Sequence, residues 1–302
     1  MEFVQHLING LYLGGTYALI ALGYTMVYGV LRLINFAHGD VVMVGAYVAL
    51  FAAAGLHAPA PAPWYQTLLI FLLAMAACAL LGMLIERVAY RPLRQAPRLA
   101  ALITAIGVSV LLENGGQLPW VFGSQPRSVP ELVPRVNILP TAWGLSVTPI
   151  ELVTIGVTLA LMVALQMLVQ RTRIGKAMRA CSMDREAAYL MGIPVNRVIL
   201  VTFALGSALA AAAGMLIAVK TGQAHAFMGL MLGLKAFVAA VVGGIGSIPG
   251  AMVGGFSLGM IEEMVAGYGF SSWRDAIAFV LLILILLVRP TGIMGRAVPE
   301  KV

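Results

Sequence analysis

Charge is what this sequence has least of. Asp, Glu, Lys and Arg make up 10% of its 302 residues while 61% are hydrophobic, against about a quarter charged in soluble domains. A mean hydropathy of +0.96 excludes a soluble globular chain. Cysteine is almost missing: Cys78 lies in an apolar run and Cys181 in a polar stretch, which offers neither a disulfide framework nor a metal pattern. The four histidines, His6, His38, His57 and His225, are scattered, against a metal cage. No GxxxxGK[ST] loop occurs, and Gly175-Lys176 lacks the upstream glycine, so the chain has no cradle of its own for ATP phosphates. A nucleophile elbow, HExxH and paired cysteines are also missing, and no enzyme or cofactor site is expected. MEFVQHLING has no basic n-region or A-x-A site, so these residues read as the start of a first span rather than a signal peptide.

What is present is apolar length. Apolar runs of about 18 residues or more, enough to cross ~30 Å of hydrocarbon as helices, recur along the chain. Apolar length and Gly/Pro breakers give nine candidate segments, about 5–31, 38–56, 64–86, 99–119, 148–169, 196–219, 231–245, 250–267 and 273–289. The fold class is an all-α polytopic membrane protein, a bundle of about eight or nine transmembrane helices forming one domain over 1–302. The segment at 231–245 is short for a full crossing.

The net charge of +7 does not indicate nucleic acid, because the basic residues fall between apolar runs without interleaved exposed aromatics. They follow the positive-inside pattern. Arg87, Arg91, Arg94 and Arg98, then Arg171, Arg173, Lys176, Arg179, Arg185 and Arg197, then Arg289, Arg296 and Lys301 lie where alternating crossings put one side. That side is expected to be cytoplasmic and to hold the C-terminus; nine crossings put the N-terminus outside. The outer loop 120–147, punctuated by Pro126, Pro130, Pro134 and Pro140, is expected to form an irregular cap, and HAPAPAPW a second, proline-stiffened outer connection.

The exception to the grease is RTRIGKAMRACSMDREAAYLMG, residues 171–192. Burying its five basic residues in hydrocarbon costs about 2.5–3.5 kcal/mol each, so it stands outside the membrane. Ala180, Met183, Ala187, Leu190 and Met191 recur at helical spacing, with Arg179, Ser182, Arg185, Glu186 and Tyr189 opposite. Ser182 or Asp184 is placed to cap a helix start, and Gly192 followed by Pro194 to stop one. Physical chemistry alone allows two roles for the resulting one or two amphipathic helices: lying on anionic headgroups, or seating an apolar face in a groove of a soluble partner.

EAAYLMG resembles the EAA-x-x-x-G core of the cytoplasmic loop in bacterial ABC importer permeases. TRIGKAMRA followed by DREAAYLMGI is similar to the LivH type of branched-chain amino acid permease, as are YTMVYGVLRLINFAHGDVVMVGAYVA, IERVAYRPLR, LKAFVAAVVGGIGSIPGAMVGG and RPTGIMGR. The 120–147 loop carries no such resemblance. The resemblance implies an inner-membrane permease subunit in which the loop at about 171–197 is a coupling element seated in an ATPase subunit, with Arg179, Ala180, Asp184, Glu186, Ala187, Ala188 and Gly192 as the coupling residues. It further implies a second homologous permease, two ATPase subunits that bind the ATP, a soluble substrate-binding protein outside, and leucine, isoleucine or valine as cargo. Relatives of this kind also carry other amino acids, short amides or urea. A runner-up of another class, an ion-driven secondary transporter, needs a deep proton or sodium site, whereas the charges here read as scattered and peripheral.

Two stretches break the apolar pattern: NFAHGD, with Asn35, Phe36, His38, Gly39 and Asp40, and GGIGSIPG, with Gly243, Gly244, Gly246, Ser247, Pro249 and Gly250. Interrupted segments in each half of a transporter point to its pathway. The alternative is a pair of tight surface turns, with Asn35 and Asp40 as helix caps and His38 as a hydrogen-bonded structural group. Lys235, in the family-like run, is expected near an outer end, reaching to water. Glu262 and Glu263 fall on different faces of one helix near its outer end, and Glu86 is expected to pair with basic neighbours. Gly10-x-x-x-Gly14, Gly250-x-x-x-Gly254 and Gly255-x-x-x-Gly259 predict close helix contacts, including one with a second permease.

Overall fold

The computed structural model of the chain describes residues 2–94, 96–138 and 145–295. Arg296 and Lys301 of the basic tail and Pro140 of the outer loop lie outside the described residues.

The apolar runs become helices α1 (Glu2–Leu31), α2 (His38–Gly55), α3 (Trp64–Ile85), α4 (Arg98–Gly116) and α5 (Pro149–Arg171). The polar stretch makes two short helices, α6 (Arg173–Met183) and α7 (Arg185–Leu190). The second half holds α8 (Val195–Thr221), α9 (Met228–Gly243), α10 (Ile248–Val265) and α11 (Arg274–Val288). Among the described residues the nine expected apolar segments are each a helix. Seven stretches are long and apolar enough to cross a membrane, the last of them the run Ile248–Val288. That run is divided between α10 and α11 by a π turn at Ala266–Phe270, where Gly269 takes φ +93°. At 16 residues, α9 is about 24 Å long, short of the hydrocarbon thickness, as its sequence predicts.

Burial sorts the helices into two classes. In their most apolar windows α1, α2 and α8 are 83, 67 and 72% buried, whereas α4 and α5 are 17% buried. Peripheral helices that expose Leu72, Leu80, Ile103, Leu111 and Leu287 are stable where the surroundings are hydrocarbon rather than water. Nearly all-round burial in the centre needs small side chains. A Cβ on Gly14 would lie 2.6 Å from the Cα of Phe256, and one on Gly255 2.5 Å from the Cα of Ala18. The opposite side of α10 meets α9 the same way: a Cβ on Gly254 would sit 2.0 Å from the Ala239 carbonyl oxygen. So the glycine stripes of α1 and α10 are engaged within this chain. The expected glycine contact with a second permease is corrected accordingly, since backbone already fills those grooves.

The basic loops gather at one end of the bundle. The other end carries Trp64, Tyr65, Trp120, Tyr268 and Trp273, all exposed, as an interfacial aromatic belt does. There the described part of the 120–147 loop packs as a cap. Its strand β1 (Arg127–Ser128) pairs antiparallel with β2 (Gln223–Ala224), which leads into α9. Leu132 is buried beneath it, and its carbonyl accepts from Thr67 Oγ1 at 2.8 Å.

Candidate functional site: an elbow outside the bundle and a folded-back segment inside it

The polar stretch forms an elbow. Thr172 caps α6 by accepting from Gly175 N at 3.1 Å. Asp184 ends α6 and caps α7, its Oδ1 accepting from Glu186 N and Ala187 N at 3.0 Å each. Of the two capping candidates in the sequence, Asp184 is the one used; Ser182 Oγ donates back to the Arg179 carbonyl instead. At the exit Gly192 takes φ +80°, while Ile193 N returns to the Ala188 carbonyl at 3.0 Å, closing the helix in a left-handed cap.

The elbow keeps Gly175, Met178, Cys181 and Ala188 against the protein. It turns Met183, Tyr189, Leu190 and Met191 out, each 73–84% exposed. Tyr189, on the polar side in the sequence pattern, is exposed along with Leu190 and Met191. Ala187, Glu186 and Arg179 are exposed, Ala180 is half-buried, and Ala188 is packed into the bundle's own core. A concavity of ≈ 630 Å³ lies beside the exposed cluster, lined by Arg185, Glu186, Tyr189, Leu190, Asn196 and Arg197 among others.

Guanidinium groups fasten the elbow to the transmembrane helices. Arg32 Nη2 donates to the Ser182 carbonyl at 3.1 Å, and Arg185 Nη2 donates to the carbonyl of Leu31, the last residue of α1. Close by, Arg94 bonds Asn196 at the start of α8 and pairs with the buried carboxylate of Glu86, as the neighbouring charges predicted. Burial, then the like charges of Arg94 and Arg32, lower the basicity of Arg185.

The NFAHGD segment folds back into the bundle. After Leu31 the chain turns at Arg32, φ +53°, and α2 starts with His38 beside Ile20 and Gly23. That is 8–11 residues before the end of α1, or about 12–17 Å along it. Asn35, His38 and Asp40 are 1–3% exposed. Asn35 Oδ1 accepts from Tyr90 Oη at 2.8 Å. His38 Nε2 lies 3.2 Å from the Ile20 carbonyl, with its ring edge-on to Tyr24. Asp40 accepts from Ser109 of α4, and a Cβ on Gly39 would lie 2.6 Å from the Gly229 carbonyl oxygen of α9. Phe36 faces Phe237 of α9, ring centroids 6.1 Å apart. The expected capping roles of Asn35 and Asp40 are not what forms: Ala37 is the N-cap of α2 and no side chain caps it, because both polar groups have partners on other helices.

GGIGSIPG behaves differently. Gly244 and Gly246 take φ +106° and +96°, Ser247 caps α10 by accepting from Gly250 N at 3.2 Å, and Pro249 and Gly246 are exposed. The segment is a tight turn at the basic end. Main chain covers it: Ile293 N and Met294 N donate to the Val242 and Gly243 carbonyls at 2.9 Å, and Gly243 packs on Gly250.

Lys235 is a correction. Rather than reaching to water it is 6% exposed, and its Nζ lies 3.0 Å from Glu262 and 2.6 Å from Asp275. Glu262, fully buried, also accepts from Tyr17 Oη at 2.9 Å and faces Arg274 Nε at 3.4 Å. Glu263 turns the other way, to Asn9 and Arg274 Nη2, as the two-face reading predicted. Two cations and three carboxylates on three helices thus form one ion-pair network around the buried Lys235 and Glu262, and a buried charge requires such partners. Sequence reasoning missed Arg32, Tyr90, Ser109, Arg274 and Asp275. Arg32 had a signal in being the one charge between the first two spans short of Asp40, but its partner Ser182 is 150 positions away.

The family model described as "Branched-chain amino acid transport system / permease component" matches residues 6–286. The high-affinity branched-chain amino acid transport system permease protein LivH of Salmonella typhimurium is 45% identical over 305 residues, covering 100% of this chain and 98% of the relative. The corresponding BraD of Pseudomonas aeruginosa is 44% identical, with 100% and 98% covered. A fructose import permease protein, FruG of Bifidobacterium longum, is 26% identical, with 99% and 91% covered. With the family model spanning residues 6–286 and these relatives 44–45% identical over the whole chain, the chain belongs to the family of permease components of branched-chain amino acid transport systems.

Proposed function

We propose that the chain is an inner-membrane permease subunit of an ATP-driven importer, that it carries leucine, isoleucine or valine, and that the 171–197 elbow is where an ATPase subunit docks. The observation that carries the docking is the cluster of Met183, Tyr189, Leu190 and Met191, exposed together on a capped elbow beside an open concavity. Large apolar side chains exposed in one place on a polar element mark a partner interface, and an apolar helix face laid in a groove is a familiar way to satisfy it. On this reading Asp184 and Gly192 set the shape of the elbow. Arg179, Ala180, Glu186 and Ala187 contact the partner, and Ala188 supports from behind. The relatives' names support the cargo, the basic end supports a cytoplasmic elbow with the N-terminus outside, and the family supports two ATPases, a second permease and a soluble binding protein as partners. We place the substrate path along the folded-back segment, where Asn35, His38 and Asp40 supply polar groups and Phe36 and Phe237 an apolar wall suited to an aliphatic side chain.

The test is Leu190→Asp with Tyr189→Ala. The double variant is expected to fold and insert normally, to lose copurifying ATPase subunits, and to lose uptake of labelled leucine in vesicles. Full retention of the ATPases, or leucine accumulation driven by an ion gradient without them, overturns the docking reading. If the variant instead loses only its affinity for anionic lipid, the elbow is a membrane-surface element.

A further inference from the structure

The elbow and the folded-back segment are far apart in sequence, yet two side-chain bonds join them directly. Both run from a guanidinium to a main-chain carbonyl, and they cross: Arg32 of the first region reaches Ser182 of the second, while Arg185 of the second reaches Leu31 of the first. The carbonyl of Leu31 is one of those a helix end leaves without an intrahelical partner, so a cation is doubly favoured there, by the bond and by the helix dipole. The joint falls on a hinge-like place in each chain segment. In one it is the left-handed residue Arg32, φ +53°; in the other it is the Asp184 junction, where φ −152° and ψ 117° separate α6 from α7.

Very little chain lies between this joint and the interior. Only residues 33 and 34 separate Arg32 from Asn35, which is held by Tyr90, and Phe36 touches Phe237 on α9. At no more than about 3.6 Å per residue, such a tether has little slack. Displacement of the elbow by several ångströms must therefore break the crossed bonds or drag the Asn35–Phe36 segment with it. Arg32, Arg94 and Arg185 crowd together, and Glu86, the buried carboxylate beside Arg94, is already paired.

We propose that Arg32 and Arg185 form a transmission joint, positioning residues that convert movement of the docked elbow into movement of the folded-back segment at the substrate path. The proposal rests on the docking reading above and deepens it by naming where the motion enters the bundle.

The experiment uses the complete complex in proteoliposomes and measures ATP hydrolysis and leucine uptake in parallel. Arg32→Ala and Arg185→Ala are expected to keep their ATPase subunits and hydrolyse ATP near the wild-type rate. Uptake per ATP should fall by roughly 5- to 150-fold, the range of ordinary coupling free energies. Arg185→Lys, which keeps a donor but not the reach of the fork, is expected to recover part of the loss. Unchanged uptake per ATP in both alanine variants overturns the proposal, and so does loss of the ATPase subunits, which makes the arginines docking contacts instead. Leu190→Asp with Tyr189→Ala in the same assay isolates failure of the docking reading, since only that variant is expected to shed the ATPases. Should the alanine variants fold poorly, Arg32→Cys with Ser182→Cys, in a background where Cys78 and Cys181 are Ala, provides the second measurement when bridged by a reducible bis-thiosulfonate linker about as long as the arginine side chain it replaces, a span too wide for a direct disulfide. The unlinked pair should show the reduced uptake per ATP of Arg32→Ala, cross-linking should restore it and reduction of the linker remove it again; uptake per ATP indifferent to a fully formed cross-link overturns the joint.

Discussion

NFAHGD and GGIGSIPG look alike on the page, each a polar, glycine-containing break between two apolar runs, and they fold into opposite things. The first is drawn into the bundle until Asn35, His38 and Asp40 are almost completely buried; the second stays at the surface with Gly246 and Pro249 exposed. The difference lies in where their hydrogen bonds go. Asn35 and Asp40 carry side-chain acceptors that find hydroxyl donors on other elements, Tyr90 and Ser109, so burial leaves neither without a partner. GGIGSIPG has main chain to satisfy and little side chain, and it does so within the turn and with residues 293–294. A break rich in polar side chains can enter a membrane protein's interior; a break made of glycine and proline folds where its own backbone closes it.

The most severe way to break that comparison is Gly244→Val. Its φ of +106° is strained for any side chain, and a Cβ would stand 2.3 Å from Gly295 N. Strain of about 1–3 kcal/mol and overpacking of about 1–3 kcal/mol together predict a loss of roughly 2–6 kcal/mol in detergent-micelle unfolding. A value below 1 kcal/mol would mean that the 292–295 segment does not cover the turn in solution.

Asn35→Leu tests the other side. It leaves the Tyr90 hydroxyl buried without its acceptor, and about 1–3 kcal/mol should be lost. Tyr90→Phe on top of it should add little, because the group left unpaired is then gone. Additive losses in the two variants would show that the Asn35–Tyr90 bond is not what holds the segment inside.

The sequence makes the helices legible because hydrocarbon imposes one simple rule, about 20 apolar residues per crossing, and each expected segment matches a helix to within a few residues. It makes the elbow legible because α6 and α7 are local: Asp184, Gly192 and Pro194 act on neighbours within a few positions. What it hides is long-range pairing. Lys235 reads as a rim charge until α10 and α11 bring Glu262 and Asp275 to it. Ala188 reads like its neighbour Ala187 until the Asp184 break fixes which of them faces the bundle. Two breaks of equal appearance are told apart only by partners 55 to 69 residues away.

Two smaller effects sharpen the comparison from inside the surface turn. Gly246→Ala meets no atom within 4 Å, so only its φ of +96° opposes it, and a loss of about 1 kcal/mol is expected, the low end of backbone strain. The contrast with Gly244 isolates steric cover from conformational freedom in one short segment.

Pro249→Ala is expected to do least. The side chain is exposed and sits in the first turn of α10, where proline gives up no hydrogen bond and alanine is itself a good helix former, so the change in stability should stay within about 0.5 kcal/mol. Uptake should be unaltered too, because the contacts that the turn makes are backbone closures within itself and with residues 292–295. An uptake defect at unchanged stability would be the more instructive outcome. It would mean that the turn works on the transport path, as proposed for the buried segment, and that depth in the resting fold is not what distinguishes the two.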